Sequence, residues 1–552
     1  MTRRKDVRGD DPPLQRTVET ARPSLIRTMN GRWSRAHVHV ARATSPTNSG
    51  TLHPIVRLLV ASSLGLAVGL FAFALGVGVT GSWAAAGAIG LVSAGVIGWL
   101  CWKRPFVELD PTACPRSLAI VAAMATVLAF AQLTRLTVFM VAPSRANFAQ
   151  FPSSKFEVRH SCVSAYYVAA QAANVSTNVY DPALYNAPDD DPTRMRKPKT
   201  LGPFNVDVYE YPPPFLAVPR SLQLVAPEFL RFRTLWFGLN GLVLLAACVL
   251  VARSLGPAAG TRALLLSPLV MGAIPTVSFL EKGNVQGAMI AMAMIAMVAF
   301  ERRRWALGGA LLAYATVSKL FPGMLILYLL VQRRWRALAW TAAFGAILTL
   351  LPLAVLGTRG YAAFLEHLPG LVGGEAFPAF RNPASTAVNY SVPGLVFKLK
   401  LFGVPGMGFG ASKVVGWLFT IVVVAVTFLL GKRSVADEDK PLVWLAVLTL
   451  ATLRSPFLPH AYAGFPPLWM ATLLAAQARP TTRTLALLVG ACVVLNFYWP
   501  IDWPMDPRFL ATLTLVPQAA TIAIAFYVAS RFTRRLSAPV GITGDPVVTT
   551  VP

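Results

Sequence analysis

Charged residues are scarce in this chain, and acidic residues are the scarcer kind. Only 13% of the 552 residues are charged, and 24 of them are Asp or Glu. A soluble domain carries about 25% charged residues. Hydrophobic residues make up 55% of the chain, and its mean hydropathy is +0.55. The shortage of charge excludes an ordinary soluble protein and predicts an all-α polytopic membrane protein.

Cysteine is also rare, and its placement excludes two further classes of protein. The five cysteines, at positions 101, 114, 162, 248 and 492, show neither the short spacing of a metal site nor a disulfide framework. Walker and Rossmann glycine motifs, heptads and repeats of about 20–50 residues are missing too. We therefore predict apolar packing for the thiols, no metal ion and no other cofactor.

The excess of basic residues does not indicate nucleic-acid binding. The formal net charge is +26, but Lys and Arg gather at the ends of apolar segments instead of along one face or groove. We predict no nucleic-acid partner. The charge pattern is typical of a membrane protein whose basic ends lie in the cytoplasm.

Apolar windows predict the membrane crossings. They lie at 56–79, 83–102, 118–141, 234–251, 263–279, 285–300, 337–356, 411–430, 485–499 and 509–530. Two further apolar stretches, 305–332 and 442–477, are each divided into short halves by a polar junction, the first at Lys319 and the second at RSPFLPH. Broken helices with polar junctions usually line a cavity. We expect a bundle of about 12 transmembrane segments, including the short broken helices.

The flanking charges predict the domain organisation. Residues 1–54 and 536–552 are expected to be disordered cytoplasmic tails, and residues 55–535 form the transmembrane domain. Two external loops are predicted, a first loop at 143–231 and a second loop at 357–410. In the first loop, CVSAYYVAAQAA is expected to lie as an amphipathic interfacial helix. Its Asp189–Asp191 run could bind a cation, but a solvated turn is the more frequent use of such a run.

Six motifs follow one another along the chain. They are YYVAA with NVYDPALY, YEYPPPF, KGNVQ, SKLFP with QRRWR, FRNPASTAVNYSVPG and LRSPFLPHAY. In this order they resemble the GT87 family of the GT-C superfamily, membrane glycosyltransferases that use polyprenyl-phosphate sugars. The resemblance covers about residues 155–500 and implies a GT-C-like bundle in a bacterial plasma membrane.

The resemblance also implies an activity and its partners. The chain would transfer a hexose, with mannose as first candidate, from a polyprenyl-phosphate donor. The acceptor would be a lipid-linked or cell-envelope glycan on the external face, reached by a single inverting displacement among membrane lipids. Two alternatives are a secondary transporter or lipid flippase, and a family member that has lost catalysis and acts as a scaffold. No internal repeat of the transporter kind is found.

Such a transfer needs a base beside the acceptor hydroxyl. The family usually places an Asp a few residues before the Tyr-Tyr pair, where this chain has Ser161 and Cys162. We consider Glu157 and His160, which lie nearest that place, ahead of Asp181. Asp207 and Glu210 are further candidates. Each of these residues is also typical of a solvated loop.

The leaving phosphate needs cations, and the sugar needs hydrogen-bonding groups. For the phosphate we expect Lys319, His460 and Arg454, with Lys282 in reserve; the alternative role of such groups is to cap helix ends. For the sugar the candidates are Asn284, Gln286 and Tyr211, which could instead hold helices together or anchor the interface. The family usually shows Gly-Gln-x-Asn where this chain has Gly-Asn-Val-Gln, so the two amides are exchanged.

Overall fold

The computed structural model describes residues 49–104, 108–175, 178–186 and 198–533. These residues form 21 α-helices and one antiparallel pair of two-residue strands, β1 (Thr200–Leu201) and β2 (Phe204–Asn205). The helices are α1 (Ser49–Thr80), α2 (Trp83–Lys103), α3 (Arg116–Val141), α4 (Lys155–Arg159), α5 (Cys162–Ala172), α6 (Ala217–Val225), α7 (Phe229–Ser254), α8 (Pro257–Met271), α9 (Ile274–Lys282), α10 (Gln286–Glu301), α11 (Trp305–Ser318), α12 (Gly323–Val331), α13 (Trp335–Gly373), α14 (Pro383–Ala387), α15 (Gly394–Leu401), α16 (Phe409–Gly431), α17 (Lys440–Leu453), α18 (His460–Ala463), α19 (Phe465–Gln477), α20 (Thr482–Leu495) and α21 (Pro507–Thr533).

The predicted all-α membrane class is confirmed. Among the residues that the structure describes, seven helices are long and apolar enough to cross a membrane, and the bent pair α8–α9 would make an eighth span. Four further apolar helices, α10, α11, α17 and α20, have only 10–17 residues. The count of about 12 segments therefore stays a prediction. Of the predicted N-terminal tail at 1–54, residues 49–54 belong to α1, whereas residues 1–48, the predicted C-terminal tail at 536–552 and the Asp189–Asp191 run lie outside the described residues.

One predicted crossing is bent. Within residues 263–279 the helix ends at Met271 and restarts at Ile274, with a bend of 58° between α8 and α9. Pro275 lies in the first turn of α9, where its missing N–H leaves no helical bond broken. The amide N–H of Ile274 donates instead to the Oδ1 atom of Asn496, at 2.6 Å. The break turns the end of α9 toward the centre of the protein.

Another predicted crossing ends early. The window 485–499 becomes α20, which stops at Leu495. Asn496 terminates it: its Nδ2 atom donates to the carbonyl of Cys492, at 2.7 Å, while its Oδ1 atom holds the start of α9. The chain beyond is therefore free to carry Tyr498 and Trp499 toward the polar junctions.

The predicted short-helix pairs are present. Helices α11 and α12 meet across Lys319–Pro322, and α17 and α18–α19 meet across Arg454–Pro459. The second junction is bound to the second loop, since Asn389 donates through Nδ2 to the carbonyl of Pro456 (3.0 Å) and accepts at Oδ1 from Leu458 N–H (2.9 Å). Two motifs that are about 70 residues apart in sequence thus pack together.

The second loop contains more helix than its prediction as a loop implied. Helix α13 continues to Gly373, with a break at Gly357, whose φ of 65° lies in the left-handed region that glycine tolerates. The predicted boundary at 357 therefore coincides with the break. Beyond it, the second half of α13 is followed by α14 and α15.

The expected interfacial helix of the first loop is found, but in a different environment. Helix α5 corresponds to CVSAYYVAAQAA, and nine of its 11 residues are buried. Its Ser164 hydroxyl is satisfied internally by the carbonyls of Ser161 and Asn205. Helix α5 is thus a core helix, so the interfacial prediction is wrong for it. Helix α6 fits that prediction better, since its Leu224 is 89% exposed.

The centre of the bundle is occupied by α10 and α17. Thirteen of the 16 residues of α10 and 13 of the 14 residues of α17 are buried. Their packing fixes the positions of the helix ends next to the polar junctions. The polar junctions at residues 283–285, 319–322 and 454–459 consequently converge on the same region.

Candidate functional site

A polar chamber of about 450 Å³ lies where these junctions meet the first and second loops. Its walls come from α4, the start of α5, residues 207–211, the α9–α10 junction and residues 377–388, 455–462 and 498–501. The carboxylate, amino, imidazole and thiol groups that line it belong to Glu157, His160, Cys162, Asp207, Glu210, Lys282, Lys319 and His460. Such a convergence of polar groups in a concave site is typical of an active site.

An apolar channel of about 380 Å³ adjoins the polar chamber. Its apolar wall comes from the α11–α12 junction, α12 and the second half of α13, through Leu320, Phe321, Met324, Phe364, Leu368 and Leu371. The two cavities share Glu210, Tyr211, Gln286, Lys319, Phe377 and Ser455 as lining residues. The pair can therefore hold a ligand with one polar and one apolar part.

Most of the predicted site residues come together. Eight of them line the polar chamber: Glu157, His160, Lys282, Asn284, Gln286, Tyr211, Lys319 and His460. Arg454 lines the apolar channel. Asp181 lies elsewhere, exposed, and its carboxylate accepts from the N–H of Ala183 (2.8 Å) to cap a short 3-10 turn. Asp181 therefore caps a turn and is not among the groups that line the chamber.

Glu157 forms an ion pair with Lys282, their Oε2 and Nζ atoms being 2.7 Å apart. Both side chains are buried, and Lys282 also donates to the hydroxyl of Tyr498, at 3.0 Å. Burial opposes ionisation of Glu157, but the ammonium of Lys282 outweighs it and lowers the pKa of the carboxyl. Glu157 and Lys282 thus neutralise each other in the wall of the chamber.

His160 lies between two acidic partners. Its Nε2 atom is 3.8 Å from Oδ2 of Asp207 and 3.7 Å from Sγ of Cys162. Its ring stacks on Phe156 at a centroid distance of 4.9 Å, which sets the direction of Nε2. Burial would lower the pKa of His160, yet Asp207 and then Cys162 raise it to about 9.

Asp207 lies just after β2, and hydrogen bonds fix its backbone and its carboxylate. Its N–H donates to Ser164 Oγ (2.9 Å), and its Oδ1 atom accepts from the N–H of Val208 (3.1 Å). The side chain is 35% exposed and borders the chamber. In the sequence, Asp207 ranks behind Glu157 and His160 as a base, because it is 45 positions from Cys162 whereas they are near it. The paired acid and imidazole could have been found only from the fold.

Glu210 and Lys319 face the boundary between the two cavities. Burial, together with the charge of Asp207, raises the pKa of Glu210 to about 8, although Lys319 opposes the shift. The Nζ atom of Lys319 lies 5.3 Å from the ring centroid of Tyr211. The hydroxyl of Tyr211 accepts from that of Tyr166 at 2.9 Å. The boundary thus presents one ammonium, one neutral carboxyl and one phenol.

The other two phosphate candidates, Arg454 and His460, contact neighbouring protein groups. Arg454 donates through Nε to the hydroxyl of Thr420, at 3.0 Å, and its guanidinium lies 5.7 Å from the ring centroid of Trp417. His460 is buried, with Nε2 3.1 Å from the carbonyl oxygen of Trp499 and its ring stacked on Tyr498. Its Nδ1 atom has no hydrogen-bond partner in the described structure. That nitrogen is the part of His460 left for a ligand.

The two exchanged amides sit at a sharp turn after α9. Gly283 has a φ of 68°, and a Cβ there would lie 2.0 Å from Cγ2 of Val163, so the turn requires glycine. Asn284 accepts at Oδ1 from the N–H of Gln286 (2.9 Å), and its Nδ2 atom lies 3.6 Å from Sγ of Cys162. The buried Nε2 atom of Gln286 lacks a hydrogen-bond partner in the described structure. An unpaired buried donor at a cavity wall is available to a ligand hydroxyl.

Comparisons with known proteins agree with this picture. Residues 209–456 match the family model for Glycosyltransferase family 87. The chain is 26% identical over 336 residues to a protein of Mycobacterium tuberculosis (strain CDC 1551 / Oshkosh) named polyprenol-phosphate-mannose-dependent alpha-(1-2)-phosphatidylinositol pentamannoside mannosyltransferase. That alignment covers 58% of this chain and 73% of the relative.

A protein of the same name from Mycolicibacterium smegmatis (strain ATCC 700084 / mc(2)155) is 27% identical over 277 residues, covering 48% of this chain and 63% of the relative. No solved structure matches the chain. The apolar helices, the family match over residues 209–456 and the two relatives together support a membrane glycosyltransferase that is similar to family 87.

Proposed function

We propose that this glycosyltransferase transfers a hexose, with mannose as first candidate, from a polyprenyl-phosphate carrier to a lipid-linked or cell-envelope glycan at the external face of a bacterial plasma membrane. One observation carries the proposal: the polar chamber and the apolar channel adjoin, with Lys319 lining both. A prenyl chain fits the channel and a sugar fits the chamber. The names of the two relatives support the same donor class.

The phosphate of the donor belongs at the boundary. Lys319 would contact it from the wall common to both cavities, and Arg454 would approach it from the channel side. These cations stabilise the negative charge that develops on the phosphate oxygen as the glycosidic bond breaks. Lys282 is the reserve candidate for this role. It is paired with Glu157 and positions the wall of the polar chamber instead.

The sugar belongs in the polar chamber. The free Nε2 atom of Gln286 and the free Nδ1 atom of His460 are candidate partners for its hydroxyls. Tyr211 presents an aromatic face at the entrance, and Asn284 supports the turn from behind. Hydrogen bonds of this kind orient the anomeric carbon toward the acceptor.

For the base we propose Asp207, positioned by His160. Asp207 faces the chamber with its Oδ2 atom, whereas Glu157 is held by Lys282. The carboxylate removes the proton of the acceptor hydroxyl while that oxygen bonds to the anomeric carbon. The bond from that carbon to the phosphate oxygen breaks, and polyprenyl phosphate leaves. A direct displacement inverts the anomeric configuration.

The proposal is tested by sugar transfer with the purified protein in lipid. Radiolabelled polyprenyl-phosphate mannose and glucose are offered with a membrane-lipid extract as acceptor. Asp207→Asn should lower kcat by at least about 10²-fold, whereas Asp181→Asn, a change in the same loop outside the chamber, should leave it unaltered. Equal rates for Asp207→Asn and wild type would refute the base.

The same assay distinguishes the glycosyltransferase from the two alternative functions. A transporter or flippase would move labelled lipid across a vesicle membrane without forming a new glycoside, and a scaffold would do neither. Absence of labelled product with every carrier-linked sugar, in folded protein, would overturn the proposed transfer. His160→Gln should give an intermediate rate, because it removes the partner of Asp207 and leaves the carboxylate.

A further inference from the structure

Three potential metal ligands meet on one wall of the polar chamber. His160, Cys162 and Asp207 each offer one ligand atom, and these three atoms all lie within 4.8 Å of one another. The sequence predicts no metal, because its cysteines lack the spacing of a metal site, and Asp207 is remote in sequence from His160 and Cys162. The fold removes that separation by packing the segment after β2 against the start of α5, where Ser164 Oγ accepts from Asp207 N–H.

The spacing is close to that of a tetrahedral zinc site. Zinc bonds of about 2.0–2.3 Å place neighbouring ligand atoms roughly 3.3–3.6 Å apart. Here Nε2 of His160 is 3.7 Å from Sγ of Cys162 and 3.8 Å from Oδ2 of Asp207. Both of these distances are within a few tenths of an ångström of the tetrahedral spacing, and the sulfur of Cys162 and the carboxylate of Asp207 lie within 4.8 Å of each other. The mixed nitrogen, sulfur and oxygen set suits zinc better than magnesium or calcium, which prefer oxygen.

The surroundings hold each ligand in a binding orientation. Phe156 stacks on the ring of His160, and Val208 N–H occupies the other carboxylate oxygen of Asp207. Cys162 is the first residue of α5, an 11-residue helix whose N-terminal end carries a partial positive charge. The amide Nδ2 of Asn284 lies 3.6 Å from its sulfur. Such outer contacts tune and orient metal ligands.

We propose that His160, Cys162 and Asp207 form a zinc-binding site in the wall of the polar chamber, with the fourth coordination position open to the chamber. Binding replaces the thiol proton of Cys162 with a zinc–sulfur bond and releases that proton to solvent. It also engages the carboxylate of Asp207. The site would therefore be inhibitory: a bound zinc ion withholds Asp207 from the acceptor hydroxyl. This consequence rests on the proposed function, whereas the binding itself does not.

Binding is tested without any sugar substrate. Purified protein is stripped with a chelator and titrated with cobalt(II), a spectroscopic substitute for zinc. We expect one equivalent of cobalt to produce thiolate charge-transfer absorption, and zinc to abolish it. Cys162→Ser should remove the absorption and weaken zinc binding by at least about tenfold. Cys492→Ser, which alters a half-buried thiol in α20, should change neither.

Two outcomes would overturn the site: no thiolate absorption in wild-type protein, or the same absorption in Cys162→Ser. Should Cys162→Ser unfold, as judged by its thermal transition, His160→Gln provides the second test, since loss of the imidazole should also weaken zinc binding. Unchanged zinc affinity in folded His160→Gln would exclude the three-ligand site.

The inhibitory consequence has its own test. Zinc sufficient to saturate the site should lower transfer by wild-type protein at least about tenfold, and should have much less effect on Cys162→Ser. Full activity of zinc-saturated wild type would refute the inhibition and the role of Asp207 together. Failure of all transfer would instead count against the proposed function, while the cobalt titration would still decide the metal site.

Discussion

The ammonium of Lys282 lies 2.7 Å from a carboxylate oxygen of Glu157, and the two side chains are only 3% and 2% exposed. The pair joins the end of α9 to α4 in the first loop, across 125 positions of sequence. A buried ion pair becomes costly when one partner is removed, because the other charge stays desolvated. These two residues therefore hold one wall of the polar chamber in place.

We predict that Glu157→Gln lowers the stability of the protein by about 3–5 kcal/mol. The double variant Glu157→Gln/Lys282→Met should recover much of that loss, since it removes both charges. Thermal unfolding in detergent measures the effect. The ion pair of Glu375 with Lys413 is the control, because both groups are well exposed and Glu375→Gln should have little effect. Equal unfolding midpoints for Glu157→Gln and Glu375→Gln would contradict the prediction.

Lys319 is predicted to act on the leaving phosphate. Lys319→Ala should lower kcat by about 10²–10³-fold while leaving expression and fold intact, because its ammonium lines both cavities. Lys319→Arg should restore part of the rate. Lys432→Ala, which removes an exposed lysine after α16, should behave as wild type. Unchanged turnover in Lys319→Ala would refute the assignment.

Glu210 predicts a pH dependence of donor binding. The pKa of this carboxyl is raised to about 8, so Glu210 is mostly neutral at pH 7 and becomes negative above pH 8. A new negative charge near Lys319 should weaken binding of the donor phosphate. The KM for the donor should therefore rise several-fold from pH 7 to pH 9. In Glu210→Gln this rise should disappear, and a persisting rise would exclude Glu210 as its cause.

The apolar channel predicts a dependence on the length of the prenyl chain. Leu368 lines the channel, whereas Leu365 on the same helix is 62% exposed and is not among the lining residues. Leu368→Trp should raise the KM for long-chain donors more than for short-chain analogues, because the indole occupies space needed by the chain. Leu365→Trp is the matched control. A uniform effect on all chain lengths would show that the channel does not hold the prenyl group.

Sequence patterns located the broken helices well. The polar junctions at Lys319 and at RSPFLPH were placed correctly, since a charged or proline-rich interruption of an apolar run is visible locally. Sequence patterns gave a wrong prediction where the burial of a helix depended on packing against distant segments. Helix α5 has the composition of an interfacial helix, yet its polar groups are satisfied by other parts of the first loop and nine of its residues are buried.

The functional assignments divide in the same way. The motifs and the apolar windows determined the class, an all-α membrane glycosyltransferase, because hydropathy and motif order are properties of consecutive residues. Only the tertiary structure decided that Glu157 is engaged by Lys282, that Asp181 caps a turn, and that His160, Cys162 and Asp207 meet. Each of these outcomes except the local cap depends on contacts between distant segments. The free energy of such contacts comes from packing of the whole bundle. That packing cannot be read from the order of residues along the chain.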